Sequence, residues 1–181
     1  MFNEATDIIA IDFEFWMANM GNPEIRCMSA LSLVSGQRWD FWADKLPVQP
    51  PWDFNSDIVF IVHFAEAECA CFLELGWGLP AYIFDTHTVI SQLRAVPAKK
   101  LHNKKQYPKQ FSYGTSLLHL CQSFGVKHSY EDAKDEMREL AIQDKRSSEY
   151  TEDEKQSLIA YCRSDVDVYI ELLPKILEYL Q

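Results

Sequence analysis

The stretch Ile8-Ile9-Ala10-Ile11-Asp12-Phe13-Glu14-Phe15 is an apolar run that carries two carboxylates near its end. Side chains alternate faces along a strand, so Asp12 and Glu14 point the same way while Ile11, Phe13 and Phe15 take the opposite face. Two acids held side by side repel unless a cation lies between them or one carries a proton. A hard divalent metal with oxygen ligands is the usual partner of such a pair. Taken alone, the pair is better explained as a strand running out into a solvated acidic turn. The rest of the chain decides.

With 181 residues, 48% of them hydrophobic, the sequence suits one domain with a full core. No apolar run approaches the roughly 18–20 residues of a membrane span. The first residues, Met1 to Asp7, lack the basic region and apolar stretch of a secretory signal. The five cysteines include no C-x-x-C pair, so buried free thiols in a reducing compartment are expected and a zinc site is not. A cytoplasmic protein, with no membrane association, is the resulting expectation. The net charge of −10 argues against tight nonspecific binding to long nucleic acid, whose affinity comes from cations meeting phosphates. The charge is uneven, however. Between Thr86 and Ser129 there is no Asp or Glu, and seven Lys and Arg side chains make that segment +7 against −17 for the remainder. One basic segment in an acidic protein is a candidate phosphate contact.

Working outward from the first stretch, residues 17–24 contain the Asn, Gly and Pro of a turn. Residues 26–34 and 38–43 read as an antiparallel hairpin around Ser35-Gly36. Three prolines mark 46–56 as a loop. Ile58-Val59-Phe60-Ile61-Val62 is short and continuously apolar, as expected of a strand covered on both faces. Helical composition over 65–75 stops at Gly76, and Tyr82-Ile83-Phe84 is a last short strand leading through Asp85 into a helix to about Ala95. Asp85 is expected to cap that helix. Residues 97–110 read as an exposed basic loop. Helices follow over 115–124 and 131–143, and Thr151 to Glu154 forms a capping box opening a long helix in which Pro174 predicts a kink or break. Strands, then strand–helix–strand, then helices predict an α/β fold with a mixed sheet.

The buried strand leads directly into His63-Phe64-Ala65-Glu66-Ala67-Glu68. A carboxylate on the helix leaving such a strand lies near the crevice where open α/β sheets bind ligands. Glu66 and Glu68 stand about 200° apart around a helix axis, so only one can face it. On the last helix Tyr161 and Asp165, at i and i+4, share a face.

The segments IDFE (11–14), IVHFAEAE (61–68) and YCRSDV (161–166) resemble, in order and placement, the three exonuclease motifs of the DEDD (DnaQ-like) 3′–5′ exonucleases. More narrowly, the chain is similar to the proofreading-type domain at the front of some phage and plasmid family A DNA polymerases. The resemblance covers nearly the whole length and implies a ribonuclease-H-like mixed β-sheet flanked by helices, in one domain over residues 1–181. Tyr161-x-x-x-Asp165 matches the tyrosine (DEDDy) subgroup; the histidine subgroup would place His where Ala160 stands. By register from His63, Glu68 rather than Glu66 takes the second-motif ligand position. Phe64 stands where the family usually has Asn, and Ala67 where it has an aromatic residue.

What the resemblance implies is hydrolysis of a nucleic-acid 3′ end, DNA favoured, with release of nucleoside 5′-monophosphates. Asp12, Glu14, Glu68 and Asp165 would hold two Mg²⁺ or Mn²⁺ ions, and Tyr161 would orient the attacking water. Phe15, Phe64, Lys104, Lys105 and Tyr107 are candidate contacts to a single-stranded substrate, since aromatics interleaved with cations suit single strands. Lys134 and Arg138 either face the crevice or pair with Glu131 and Asp135, and pairing is the expectation. His63 and the tryptophans Trp39, Trp42, Trp52 and Trp77 are expected to be structural. Association with a DNA polymerase, an RNA substrate, and a non-catalytic binding module of the same fold complete the set of readings.

Overall fold

The computed structural model describes residues 2–17, 21–54, 56–95, 114–130 and 133–180, apart from the side chains of Asn3, Leu93, Arg94 and Ala95. Five strands, β1 (Asp7–Trp16), β2 (Glu24–Ser32), β3 (Arg38–Trp42), β4 (Ile58–Val62) and β5 (Tyr82–Asp85), form one sheet in the order β3-β2-β1-β4-β5. The opening stretch is its central strand. β1 pairs antiparallel with β2 and parallel with β4, so the sheet is mixed, as expected. Among the described residues the helices are α1 (Ala65–Glu74), α2 (Thr86–Ala95), α3 (Leu117–Phe124), α4 (Lys134–Ala141), α5 (Glu152–Asp167) and α6 (Tyr169–Leu180).

Alternation along β1 and β4 sorts the core into two layers. Ile9, Ile11, Phe13, Phe60 and Val62 pack with Trp52, Phe54, Phe72 and Trp77 on one face. Ala10, Val59 and Ile61 pack with Leu117, Leu120, Leu172 and Ile176, from α3 and α6, on the other. A smaller cluster of Cys27, Trp42, Leu158 and Cys162 seats α5 over β2 and β3. Trp42, Trp52 and Trp77 are core residues, Trp39 packs half-buried against Trp52, and all five cysteines are free thiols, as their spacing implied.

Several boundaries differ from the sequence reading. β2 ends at Ser32, before the turn in which Gly36 takes φ +77°. Helix α3 starts at Leu117 because the Ser116 side chain caps it by accepting from His119 N–H. The long C-terminal helix divides at Val168, not at Pro174, which lies within α6. Pro174 leaves the carbonyl four residues back, on Ile170, without its helical partner, and Ile170 is 57% exposed, so water can serve instead. The capping box forms as expected, with Thr151 Oγ1 accepting from Glu154 N–H and Glu154 Oε2 accepting from Thr151 N–H. Among the described residues no helix is long and apolar enough to cross a membrane.

Two local irregularities shape the end of β1. Cys27 pairs with Glu14 but Ile25 with Phe15, so Arg26 is an extra residue, a bulge that bends the pair. Its buried guanidinium donates to Glu24 (2.5 Å) and to the Gln143 carbonyl (3.1 Å) and lies over the Tyr150 ring. Strand β4, meanwhile, pairs with β1 only through Ala10, so the far half of β1 has a free edge toward α1.

Candidate metal centre and active site

At that free edge α1 delivers Glu68. Its carboxylate accepts the Phe13 backbone N–H, doing for β1 what β4 no longer does, and the residue is 3% exposed. Glu66 is exposed. The crevice residue is therefore Glu68, as the register from His63 predicted.

Asp12 and Glu14 project from β1 toward α5, which presents Asp165 and, one turn earlier, Tyr161. The Cys162 thiol donates to the Asp12 carbonyl (3.2 Å) and ties α5 to β1 at this point. Asp12, Glu14 and Asp165 each offer an oxygen lying within 4.8 Å of the others. Glu68 flanks this trio, close enough to repel both Asp12 and Glu14. Burial first, and then mutual repulsion, pushes the Asp12, Glu14 and Glu68 carboxyls well above the ordinary carboxylate range. Asp12 Oδ2 and Glu68 Oε2 are buried without a hydrogen-bond partner. Unpartnered buried carboxylate oxygens beside two more acids are what a hard divalent cation requires, so the donor set fits Mg²⁺ or Mn²⁺.

His128 is a member of this site that sequence reasoning missed. It lies between α3 and α4, 3% exposed, with Nε2 2.5 Å from Asp165 Oδ1. Tyr130 N–H donates to its Nδ1 (3.2 Å), which places the ring proton on Nε2, facing the carboxylate. No spacing in the sequence marks it, because it sits 37 residues from Asp165 in a segment without periodicity. Tyr161 is 4% exposed and packs edge-on against Tyr130. Burial and then the charge of Asp165 drive its phenol pKa far upward, so it stays protonated.

Phe64 departs most from its surroundings. As the N-cap of α1 it adopts the left-handed conformation, φ +79° and ψ +71°, which is strained for a bulky residue. Asp85 Oδ1 accepts both Phe64 N–H (2.9 Å) and His87 N–H (3.0 Å), so the expected cap of α2 also fixes the start of α1. The Phe64 ring is 44% exposed and stands edge-on to His87. His63 is structural as expected: Nε2 bonds the Thr115 carbonyl, Nδ1 bonds Thr86 Oγ1, and burial lowers its pKa to about 4. Phe15 is half-buried at the rim. Among the described residues neither Lys134 nor Arg138 forms an ion pair with Asp135, which is exposed; Glu131, the other expected partner, lies outside the described residues. Lys104, Lys105, Tyr107 and the loop 97–110 lie outside the described residues.

The same arrangement of strands and helices occurs in known nucleases. The chain is similar in structure to Escherichia coli RNase D, an exoribonuclease involved in structured RNA processing, with TM-score 0.53 and 13% identity over 94% of this chain. It is similar to the EXO domain of Aedes aegypti Nibbler, with TM-score 0.56 and 8% identity over 96% of this chain and 80% of that one. The fold is ribonuclease-H-like. The chain spans 40% of the length of RNase D. No family model matches the sequence, and no curated protein does.

Proposed function

We propose that residues 1–181 form a metal-dependent 3′–5′ exonuclease domain of the tyrosine subgroup. The observation that carries this reading is the half-buried trio of Asp12, Glu14 and Asp165, with Glu68 buried beside it and one buried oxygen each of Asp12 and Glu68 unpartnered. A fold has no use for four mutually repelling carboxylates beneath its surface unless a cation joins them. Asp12, Glu14 and Asp165 would hold one ion, and Asp12 with Glu68 a second. Mg²⁺ or Mn²⁺ bound there supplies positive charge against the scissile phosphate and acidifies the attacking water.

The chain's own groups do the positioning. The Tyr161 hydroxyl, kept neutral by burial and by Asp165, holds the water by a hydrogen bond and is too weak an acid to serve as a base. Glu68 has one oxygen fixed by Phe13 N–H, leaving Oε2 for the ion. Phe64 and Phe15, on the rim, would meet the terminal nucleotide, and Lys104, Lys105 and Tyr107 the strand beyond it.

DNA as substrate, and association with a polymerase, rest on the proofreading-type resemblance of the motifs. RNA is the second reading, favoured by the structural likeness to RNase D. Matched 5′-labelled DNA and RNA single strands, incubated with and without Mn²⁺, separate these readings. Stepwise shortening from the 3′ end that needs Mn²⁺ and is lost in Asp12→Ala is expected. Shortening unaffected by Asp12→Ala would overturn the metal reading, and binding without hydrolysis would leave a non-catalytic module.

A further inference from the structure

A second concave surface lies at the end of β1 remote from the carboxylates. A groove of about 820 Å³ runs between α6 and the turn that joins β2 to β3. Ile8, about 13 Å along β1 from Asp12, lines it. Leu33 and Val34 supply one wall, and Ile170, Leu173 and Leu177 the other. These last three stand at i, i+3 and i+7, so a single stripe of α6 faces the groove. Val34 is 64% exposed and Ile170 57% exposed. Large apolar side chains left open to water on opposite walls of one groove mark a surface for a partner.

The polar groups around the groove select the chemistry of that partner. Pro174 lines the groove and has no N–H, so the Ile170 carbonyl lacks its helical donor and is free to accept from outside. Glu171 and Glu178 are exposed on α6 beside the stripe. Asp7 adds a carboxylate at the Ile8 end, where it accepts from the hydroxyl of Ser32, another lining residue (2.7 Å). Arg38, the cation that lines the groove, is taken by Asp167 and does not offset these charges. A second copy of the chain fits poorly, because each copy carries −10 and two α6 faces would set Glu171 and Glu178 against like charges.

From this geometry we propose that the groove between α6 and the β2–β3 turn docks a basic amphipathic helix of a partner protein. Its apolar stripe seats between Val34 and Ile170, and its Lys or Arg side chains reach Glu171, Glu178 and the Ile170 carbonyl. The stripe from Ile170 to Leu177 is about 10 Å long, so about two turns of the partner cover it. Docking there leaves the crevice of Asp12, Glu14, Glu68 and Asp165 open and tethers its chemistry to another protein. The inference does not depend on the nuclease reading of that crevice.

The probe is a fluorescein-labelled synthetic helix of about 14 residues, with leucines on one face and lysines on the other; a second peptide has glutamate for every lysine. Fluorescence anisotropy is titrated with the whole chain as wild type, Val34→Glu, Ile170→Glu and Glu171→Lys. The wild type is expected to bind the lysine peptide at least about tenfold more tightly than the glutamate peptide. Val34→Glu and Ile170→Glu should each weaken binding of the lysine peptide about tenfold, because a carboxylate spoils the apolar seat. Diffuse attraction predicts the opposite sign, since an added negative charge would tighten a cationic ligand. Glu171→Lys should weaken binding about threefold and flatten its salt dependence. Both glutamate substitutions fall at exposed positions, and thermal melts confirm that the variants are folded. No binding by the wild type, equal binding of the two peptides, or binding unchanged or tightened in Val34→Glu and Ile170→Glu overturns the proposal. Dimerisation of the wild type that Ile170→Glu abolishes, read by analytical ultracentrifugation, also overturns it by making a second copy the occupant.

Discussion

Replacing Asp12 with Asn removes one charge from the middle of the carboxylate cluster while keeping shape and volume. With oxygens of the trio within 4.8 Å, each fully charged pair repels by about 3.5 kcal/mol at an effective dielectric constant of about 20. Proton uptake limits the total penalty, because burial and repulsion already raise the pKa of Asp12, Glu14 and Glu68. A gain of about 1–3 kcal/mol in the metal-free protein is therefore expected, and for a chain of 181 residues this is a rise in Tm of about 2–12 °C. The Asn amide can also donate to a neighbouring carboxylate, which Asp12 cannot do when ionised. Metal reverses the comparison. At about 100 times its Kd, Mn²⁺ should stabilise the wild type by about 2.7 kcal/mol, or about 5–11 °C, by mass action. In Asp12→Asn that increment should nearly vanish, together with hydrolysis. Differential scanning fluorimetry in EDTA and across a Mn²⁺ titration measures both. A metal-free variant less stable than the wild type, with the full Mn²⁺ increment retained, would refute the reasoning, since the carboxylates would then be stabilising one another without a cation.

The pH dependence follows with the same sign. Groups whose folded pKa is raised stabilise the fold below their ordinary pKa of about 4 and lose that contribution as pH rises through the folded value. Melts of metal-free protein should accordingly fall in Tm from about pH 5 upward, and the Mn²⁺ increment should grow over the same range. His128→Ala removes the donor that orients Asp165 and should weaken Mn²⁺ binding by about 10–100-fold in calorimetric titration, with His128→Gln restoring part of it through its amide N–H. Tyr161→Phe should lower kcat by about 10–100-fold, as expected for one hydrogen bond to the attacking water, while leaving Mn²⁺ affinity unchanged. Phe64→Asn introduces a residue tolerant of the left-handed conformation and should raise stability by about 1 kcal/mol, read as a shift of the urea midpoint.

The parts of the site legible in the sequence are those carried by regular elements. The i, i+2 spacing of Asp12 and Glu14 and the i, i+4 spacing of Tyr161 and Asp165 translate directly into shared faces, because strand and helix periods are fixed by the backbone. The helix period also showed that only one of Glu66 and Glu68 can face the crevice, while the choice of Glu68 came from the register that the resemblance sets from His63. His128 was not legible, since its approach to Asp165 depends on how a loop between two helices folds back, and no period encodes that. For Arg138 on α4 the limit is a related one. Sequence neighbours such as Asp135 offered a local partner for Arg138, whereas the tertiary packing of α4 against the end of β1 turned Lys134 toward Asp12.

Phe64 shows where a motif departure becomes a structural statement. The position is left-handed because β4 must end and α1 begin within two residues, with Glu68 carried back to the Phe13 N–H at the free edge of β1. The Asn that the resemblance leads one to expect would sit there with little strain, being one of the few residues other than Gly that tolerate φ near +60°. Phe adopts the same backbone at a cost of about 1–2 kcal/mol, held by Asp85 and by edge-on contact with His87. The hydrogen bond to Asp85 and the ring contact with His87 offset part of that strain, and the stability gained in Phe64→Asn measures how much of it is left.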